Sequence, residues 1–170
     1  MGIKGTKLDG EFVLFYGFTS PFSNFYQGLD AEFTYKGHVF SCSEQAYMWE
    51  KANFSGDTEI ANEILNANEP SRMKHLGYKI AKFNEEVWEK EKYNIMVQIL
   101  KEKFKKPKLK YDLKCTLGKT LVESSTNKVW GSGFYMNNDY ATVPEKWKGE
   151  NLLGKALREV RNELFPIKEV

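Results

Sequence analysis

Between Asn84 and Lys105 the apolar residues Val87, Trp88, Tyr93, Ile95, Met96, Ile99, Leu100 and Phe104 recur near helical spacing. That stripe predicts a long amphipathic helix, capped by Asn84, which must lay its apolar face on a core. The flanking sequence offers partners. Ser41 or Ser43 can cap a helix running to about Asn53, and Asp57 to Asn66 carries Ile60, Ile64 and Leu65 as an apolar stripe. Pro70 can open a short helix stopped at Gly77, Tyr111 to Leu117 reads as a helical turn or two, and Gly149 to Phe165 is a final amphipathic helix. Strand signals are fewer: Glu11 to Tyr16, a hairpin over Ala31 to Phe40 turning at Lys36-Gly37, Thr120 to Glu123, and an extended Val129 to Phe134. Met1 to Gly10 is polar and predicts a loose start. The expected fold is α+β and predominantly helical, a compact single domain over residues 1–170 with a small β element.

Bulk properties narrow the function classes. A chain of 170 residues can bury one substantial core. The net charge of +2 provides no broad field for nucleic acid. Two cysteines far apart, Cys42 and Cys115, do not make a disulfide scaffold and are expected as buried thiols in a reducing, cytoplasmic setting. With only His38 and His75 beside them, no metal site is expected; His75 should lie on a helix surface and His38 within the hairpin. No apolar run approaches a membrane span, and no signal peptide opens the sequence, so no membrane partner is expected. Aromatic residues reach 15%, which calls for an aromatic core or a surface on which planar ligands stack.

Chemistry gathers in SCSEQAYMWEKA, Ser41 to Ala52. Glu44 and Lys51 stand seven residues apart, so a helix returns them to nearly the same face, about 10 Å apart along the axis. Tyr47 and Met48 share that face between them. A carboxylate, an amine and a ring on one face can bind and process a polar ring with a leaving group. The plain alternative is a solvated surface pair.

Three further segments carry two readings each. In Pro21 to Tyr26, Asn24 and Ser23 supply directional hydrogen bonds while Phe25 and Tyr26 supply stacking; otherwise it is a loop anchored by buried rings. In Trp130-Gly131-Ser132-Gly133 the glycines let backbone approach a ligand, or form a tight turn on the Trp. Gly149 to Gly154 opens a helix whose amides can hold phosphate, or are capped by Asn151. The basic run Lys101 to Lys110 is a solvated helix end or a rim that attracts phosphate. Walker loops, GxGxxG, HExxH and paired CxxC are all absent.

Taken in order, FSNFY (Phe22 to Tyr26), SEQAYMWEKA (Ser43 to Ala52), Pro70 with Lys74-His75-Leu76-Gly77, Trp88, Met96, Lys103-Phe104, TLVESS (Thr120 to Ser125), WGSG (Trp130 to Gly133) and GENLLG (Gly149 to Gly154) with Arg158 and Arg161 resemble the NADAR, or YbiA-like, family over most of the chain. The resemblance implies a compact, mostly helical fold with N-glycosidase activity and no cofactor. Its implied substrates join an exocyclic amine to the anomeric carbon of a phosphorylated ribose: ADP-ribose on guanine in DNA or RNA, or phosphorylated early intermediates of riboflavin synthesis. By the same resemblance Glu44 and Lys51 are the catalytic pair. Trp88 and Trp130 are rings beside the pocket, Asn24 and its neighbours a covering loop, and Gly149 to Gly154 lies near the phosphates. Two positions depart from the pattern. Asn127, a substrate-binding candidate, stands where many members carry Asp, and Asn cannot ionise. Tyr78 stands where members often carry Arg.

Cleavage of such a bond develops positive charge at the anomeric carbon, and Glu44 can stabilise that charge or activate water. Alternatively the opened sugar forms a Schiff base with Lys51, whose amine burial would deprotonate. Two non-catalytic readings remain: a module that binds ADP-ribose or nucleotide, and an antitoxin acting through contact with a toxin partner.

Overall fold

The computed structural model describes residues 2–166. Five strands and six helices follow one another as β1 (Thr6–Asp9), β2 (Phe12–Phe15), β3 (Phe33–Tyr35), β4 (His38–Phe40), α1 (Ser43–Phe54), α2 (Thr58–Leu65), α3 (Pro70–Gly77), α4 (Glu85–Lys103), α5 (Pro107–Lys114), β5 (Thr120–Glu123) and α6 (Leu152–Leu164). The predominantly helical α+β class holds. The loose start does not: Thr6–Asp9 pairs antiparallel with β2, Thr6 opposite Phe15, so the chain reverses at once instead of trailing. β5 returns after the first five helices to lie parallel to β2, with Glu123 opposite Phe15. The order β1-β2-β5 is thus a three-stranded sheet, and β3-β4 is the expected separate hairpin.

Strand parity divides the core. Val13, Phe15 and Leu121 face the helices and join Phe22, Phe40, Met96, Leu100, Phe104, Leu153 and Leu157 in the main cluster. Leu14 and Val122 face the other way, covered by Ala141 with Met136 and Trp147. The long helix packs on α1 and α6, as its stripe requires.

Several local expectations are corrected. Residues 129–134 form no strand, because their carbonyls are taken by a helix end, as described below. The basic run is not one solvated helix end. Pro107 restarts the chain as α5, Lys101 pairs with Glu163 at 2.8 Å, Lys105 with Glu102, and Lys108 with Asp112. Lys103 is fully buried, its amine donating to the Ser23 carbonyl at 2.9 Å and lying 3.4 Å from Ser43 Oγ. Cys42 is buried, its thiol pushed up to about 11 by desolvation, whereas Cys115 is exposed. No helix among the described residues is long and apolar enough to cross a membrane.

Candidate active site

Helix α1 is largely buried, and its first turn is built by side chains from elsewhere. Cys42 occupies the N-cap without a side-chain cap, so the expected serine capping is replaced. Instead Ser43 Oγ donates to Asn24 Oδ1 at 2.9 Å, and the Glu44 amide donates to the Asn24 carbonyl at 2.9 Å. Asn24 thereby locks the Pro21–Tyr26 loop to the helix end that carries Glu44. Buried Lys103 adds a third tie through Ser23 and Ser43.

A cavity of about 580 Å³ opens along this helix. Glu44, Tyr47, Met48 and Lys51 form one wall, which settles the question of a solvated pair: Glu44 is only 6% exposed and Lys51 is half-buried. Trp88 and Trp130 stand 5.2 and 5.3 Å from Tyr47, ring centre to ring centre, and continue the wall. Asn24, Phe25 and Asn127 line it too. Exposed Tyr78 sits on the rim.

Electrostatics inside the cavity are unusual. Burial pushes the Glu44 carboxyl up to about 7; Lys74 and then Lys51 pull against this, while Glu123 adds to it. Desolvation likewise raises Glu123 to about 7, opposed by Lys74. The Lys51 amine is lowered by desolvation, with Glu85 and Glu44 holding it back. It sits 4.3 Å above the Phe83 ring and donates to the Gly77 carbonyl at 3.3 Å. Among the described residues no group of three or more His, Cys, Asp or Glu side chains is placed to hold a metal ion.

The remaining sequence candidates lie outside this cavity. Tyr26 turns away, its hydroxyl donating to the Leu29 carbonyl. Gly131, Gly133 and Asn151 belong to a frame behind the wall. The amides of Glu150, Asn151, Leu152 and Leu153 donate to the carbonyls of Lys128, Gly131, Val129 and Trp130, at 2.9 to 3.1 Å. The amides at the start of α6 are therefore spent on protein backbone and are not free for phosphate. A side chain on Gly149 would strike the Gly131 carbonyl, and one on Gly131 would strike Ser125, which is why both are glycine. Asn151 does not cap its helix. It adopts a left-handed backbone (φ 52°) and reaches across to β5, Oδ1 accepting from the Glu123 amide and Nδ2 donating to the Leu121 carbonyl, both at 3.0 Å. Asn127 turns its own segment, Oδ1 accepting from the Val129 and Trp130 amides at 2.8 and 2.9 Å. An acceptor oxygen is what that turn uses, and Asn provides it without charge.

Sequence reasoning misses five charged groups that line the site: Lys74 on α3, Glu85, Glu89 and Lys92 on α4, and Glu123 on β5. Lys74 reads as an ordinary lysine in a helical last turn. Glu123 offered one signal, a charged residue closing an apolar strand at its carboxyl end, where ligands gather beside parallel strands.

Residues 14–165 match the NADAR domain profile. The chain is 36% identical to protein irg-1 of Caenorhabditis elegans over a 173-residue alignment covering 93% of this chain and 82% of that protein. It is 35% identical over 123 residues to N-glycosidase R617 of Acanthamoeba polyphaga mimivirus, covering 71% and 72% of the two chains. In three dimensions it is similar to the E. coli protein YbiA, solved by NMR, with a TM-score of 0.72, 25% identity and coverage of 95% of this chain and 89% of that one. With a profile match spanning nearly its whole length and relatives above 30% identity, the chain belongs to the NADAR family.

Proposed function

We propose that this protein is an N-glycosidase that cleaves the bond between an exocyclic amine of a base and the anomeric carbon of a phosphorylated ribose, with ADP-ribose on guanine in nucleic acid as the substrate. The observation that carries the reading is the meeting of buried Glu44 and half-buried Lys51 on one wall of an aromatic-lined cavity. Family membership and the mimivirus relative named as an N-glycosidase support it.

The rings of Tyr47, Trp88 and Trp130 suit a planar base. As the bond from anomeric carbon to nitrogen breaks, the sugar gains positive charge, and the Glu44 carboxylate stabilises it and draws a proton from the attacking water. One observation favours a second route. Among the described residues no carboxylate lies within ion-pair distance of the Lys51 amine, which rests on Phe83 with its proton affinity lowered. Such an amine can add to the opened sugar as a Schiff base, which water then releases.

Incubation with an oligonucleotide carrying ADP-ribosylated guanine tests the proposal. The wild type should release ADP-ribose, and Glu44→Ala and Lys51→Ala should each slow release by at least about 100-fold. Borohydride under turnover should label Lys51 if the adduct forms; an unlabelled, active enzyme leaves direct hydrolysis. Absence of release, with cleavage of a phosphoribosylated aminopyrimidine instead, moves the substrate. Binding of free ADP-ribose with no cleavage of either makes the protein a binding module. A toxin complex that survives Glu44→Ala makes it an antitoxin that acts by contact.

A further inference from the structure

We propose that Glu123 is a second catalytic carboxylate of this site, the general acid that protonates the departing amine. The proposal rests on the N-glycosidase reading and adds a residue to it. Glu123 closes β5 at the edge of the cavity and lines it together with Glu44. Its Oε2 is buried, with no hydrogen-bond partner among the described residues. Buried carboxylate oxygens are rarely left so, and one that faces a ligand cavity is completed by what enters.

The surroundings fix the backbone from which this side chain projects. The Glu123 amide donates to Asn151 Oδ1, and its carbonyl accepts from the amides of Ser125 and Ser132, at 3.0 and 2.9 Å. The next residue, Ser124, donates its amide to the Phe15 carbonyl of β2 at 2.9 Å. The loop Trp130 to Gly133 and the start of α6 interlock behind the same strand end. These two glycine-rich segments thus build a frame for the Glu123 backbone, which accounts for glycines near a cavity that, of the two segments, only Trp130 lines.

Division of labour between the two carboxyls follows from their cations. Glu44 feels both Lys74 and Lys51, whereas Glu123 feels Lys74 alone. Two buried carboxyls lining one cavity do not readily ionise together, and the one with fewer cations near it keeps the proton more readily. Glu123 is then the acid and Glu44 the carboxylate, consistent with both being raised by burial. In the step itself the bond from anomeric carbon to nitrogen breaks and its electron pair stays on nitrogen. The Glu123 proton passes to that nitrogen, and water bonds to the anomeric carbon and gives one proton to Glu44. Exchange of that proton back to Glu123, directly or through solvent, restores the site.

The test is kcat and KM against pH for wild type, Glu123→Gln and Glu123→Asp, on whichever phosphoribosyl amine the wild type cleaves. Other titratable groups facing the cavity are Glu44, Tyr47 and Lys51 of α1 and Lys74 of α3. Glu85, Glu89 and Lys92 of α4 face it as well, with Tyr16 just past β2 and Tyr78 just past α3. An essential acid gives the wild type an alkaline limb on which kcat falls. Glu123→Gln should fold, lose at least about 100-fold in kcat with KM within about threefold, and lose that limb. Retention of kcat within about threefold, or a loss that leaves the wild-type limb in place, overturns the assignment. Should Glu123→Gln fail to fold, Glu123→Asp decides. The shortened acid should keep the limb at a reduced kcat, and a full rate overturns the proposal. A wild type that cleaves no phosphoribosyl amine at any pH removes the N-glycosidase reading itself, a different and separable result.

Discussion

Glu44 shows at the residue scale that the site is bought with stability. Its carboxyl titrates near 4.5 when unfolded and is raised to about 7 in the fold, where it is buried. Between those values the folded protein binds a proton that the unfolded chain has lost, so stability falls as pH rises through this window. Above it the full penalty remains. Glu44→Gln removes the charge and should raise the thermal midpoint at pH 8 by several degrees, from about 2 kcal/mol regained. Near pH 4.5 the gain should vanish. Thermal unfolding of both proteins at the two pH values checks this, and an equal midpoint at pH 8 would show that the carboxylate is well solvated. Asn127 carries the opposite lesson. Its departure from the family Asp reads in sequence as lost charge, yet the structure shows its oxygen bonded to two backbone amides, a duty that Asn and Asp share.

Elements rather than residues decide how the back of the site is built. Helix α6 lies against β5 at Gly154, where an added side chain would collide with the Leu121 carbonyl and with Asn151. Backbone cannot yield there as a flexible side chain could. Gly154→Ala should therefore cost about 3 kcal/mol or more by forcing helix and strand apart. Denaturant unfolding measures the cost, and kcat should fall with it because Glu123 hangs from the same strand. A midpoint unchanged by the substitution would mean that α6 shifts freely on the sheet. The periodicity of Leu153, Ala156, Leu157 and Val160 made this helix legible in sequence, as all four are buried. Its start was not legible. Gly149 to Asn151 reads as the opening of a helix, but its amides donate to the carbonyls of Ser132, Lys128 and Gly131, and helix geometry begins only at Leu152.

Across the whole molecule, Lys103 joins what the sequence keeps far apart. Its amine, fully buried at the end of α4, holds the Ser23 carbonyl and lies within reach of Ser43 at the start of α1. Desolvation lowers this lysine from 10.5 to about 7, opposed by Cys42. The unfolded chain therefore binds a proton that the fold releases between about pH 7 and 10.5, and stability from this group rises across that window. Relative to Lys103→Met, the wild type should gain several degrees in thermal midpoint between pH 7 and pH 10. Parallel midpoints for the two proteins would contradict the buried, depressed amine. By itself the sequence determined the helices and most strands, because hydrophobic period, caps, prolines and glycines act over a few residues. It also set Glu44, Tyr47 and Lys51 on one helix face, since that follows from helix geometry alone. Only the tertiary structure decided that this face is buried, that Glu123 arrives beside it from 79 residues away in the chain, and that the backbones of the two glycine-rich motifs bond to each other. Those outcomes depend on which carbonyl meets which amide across long separations, and neither local propensity nor periodicity carries that information.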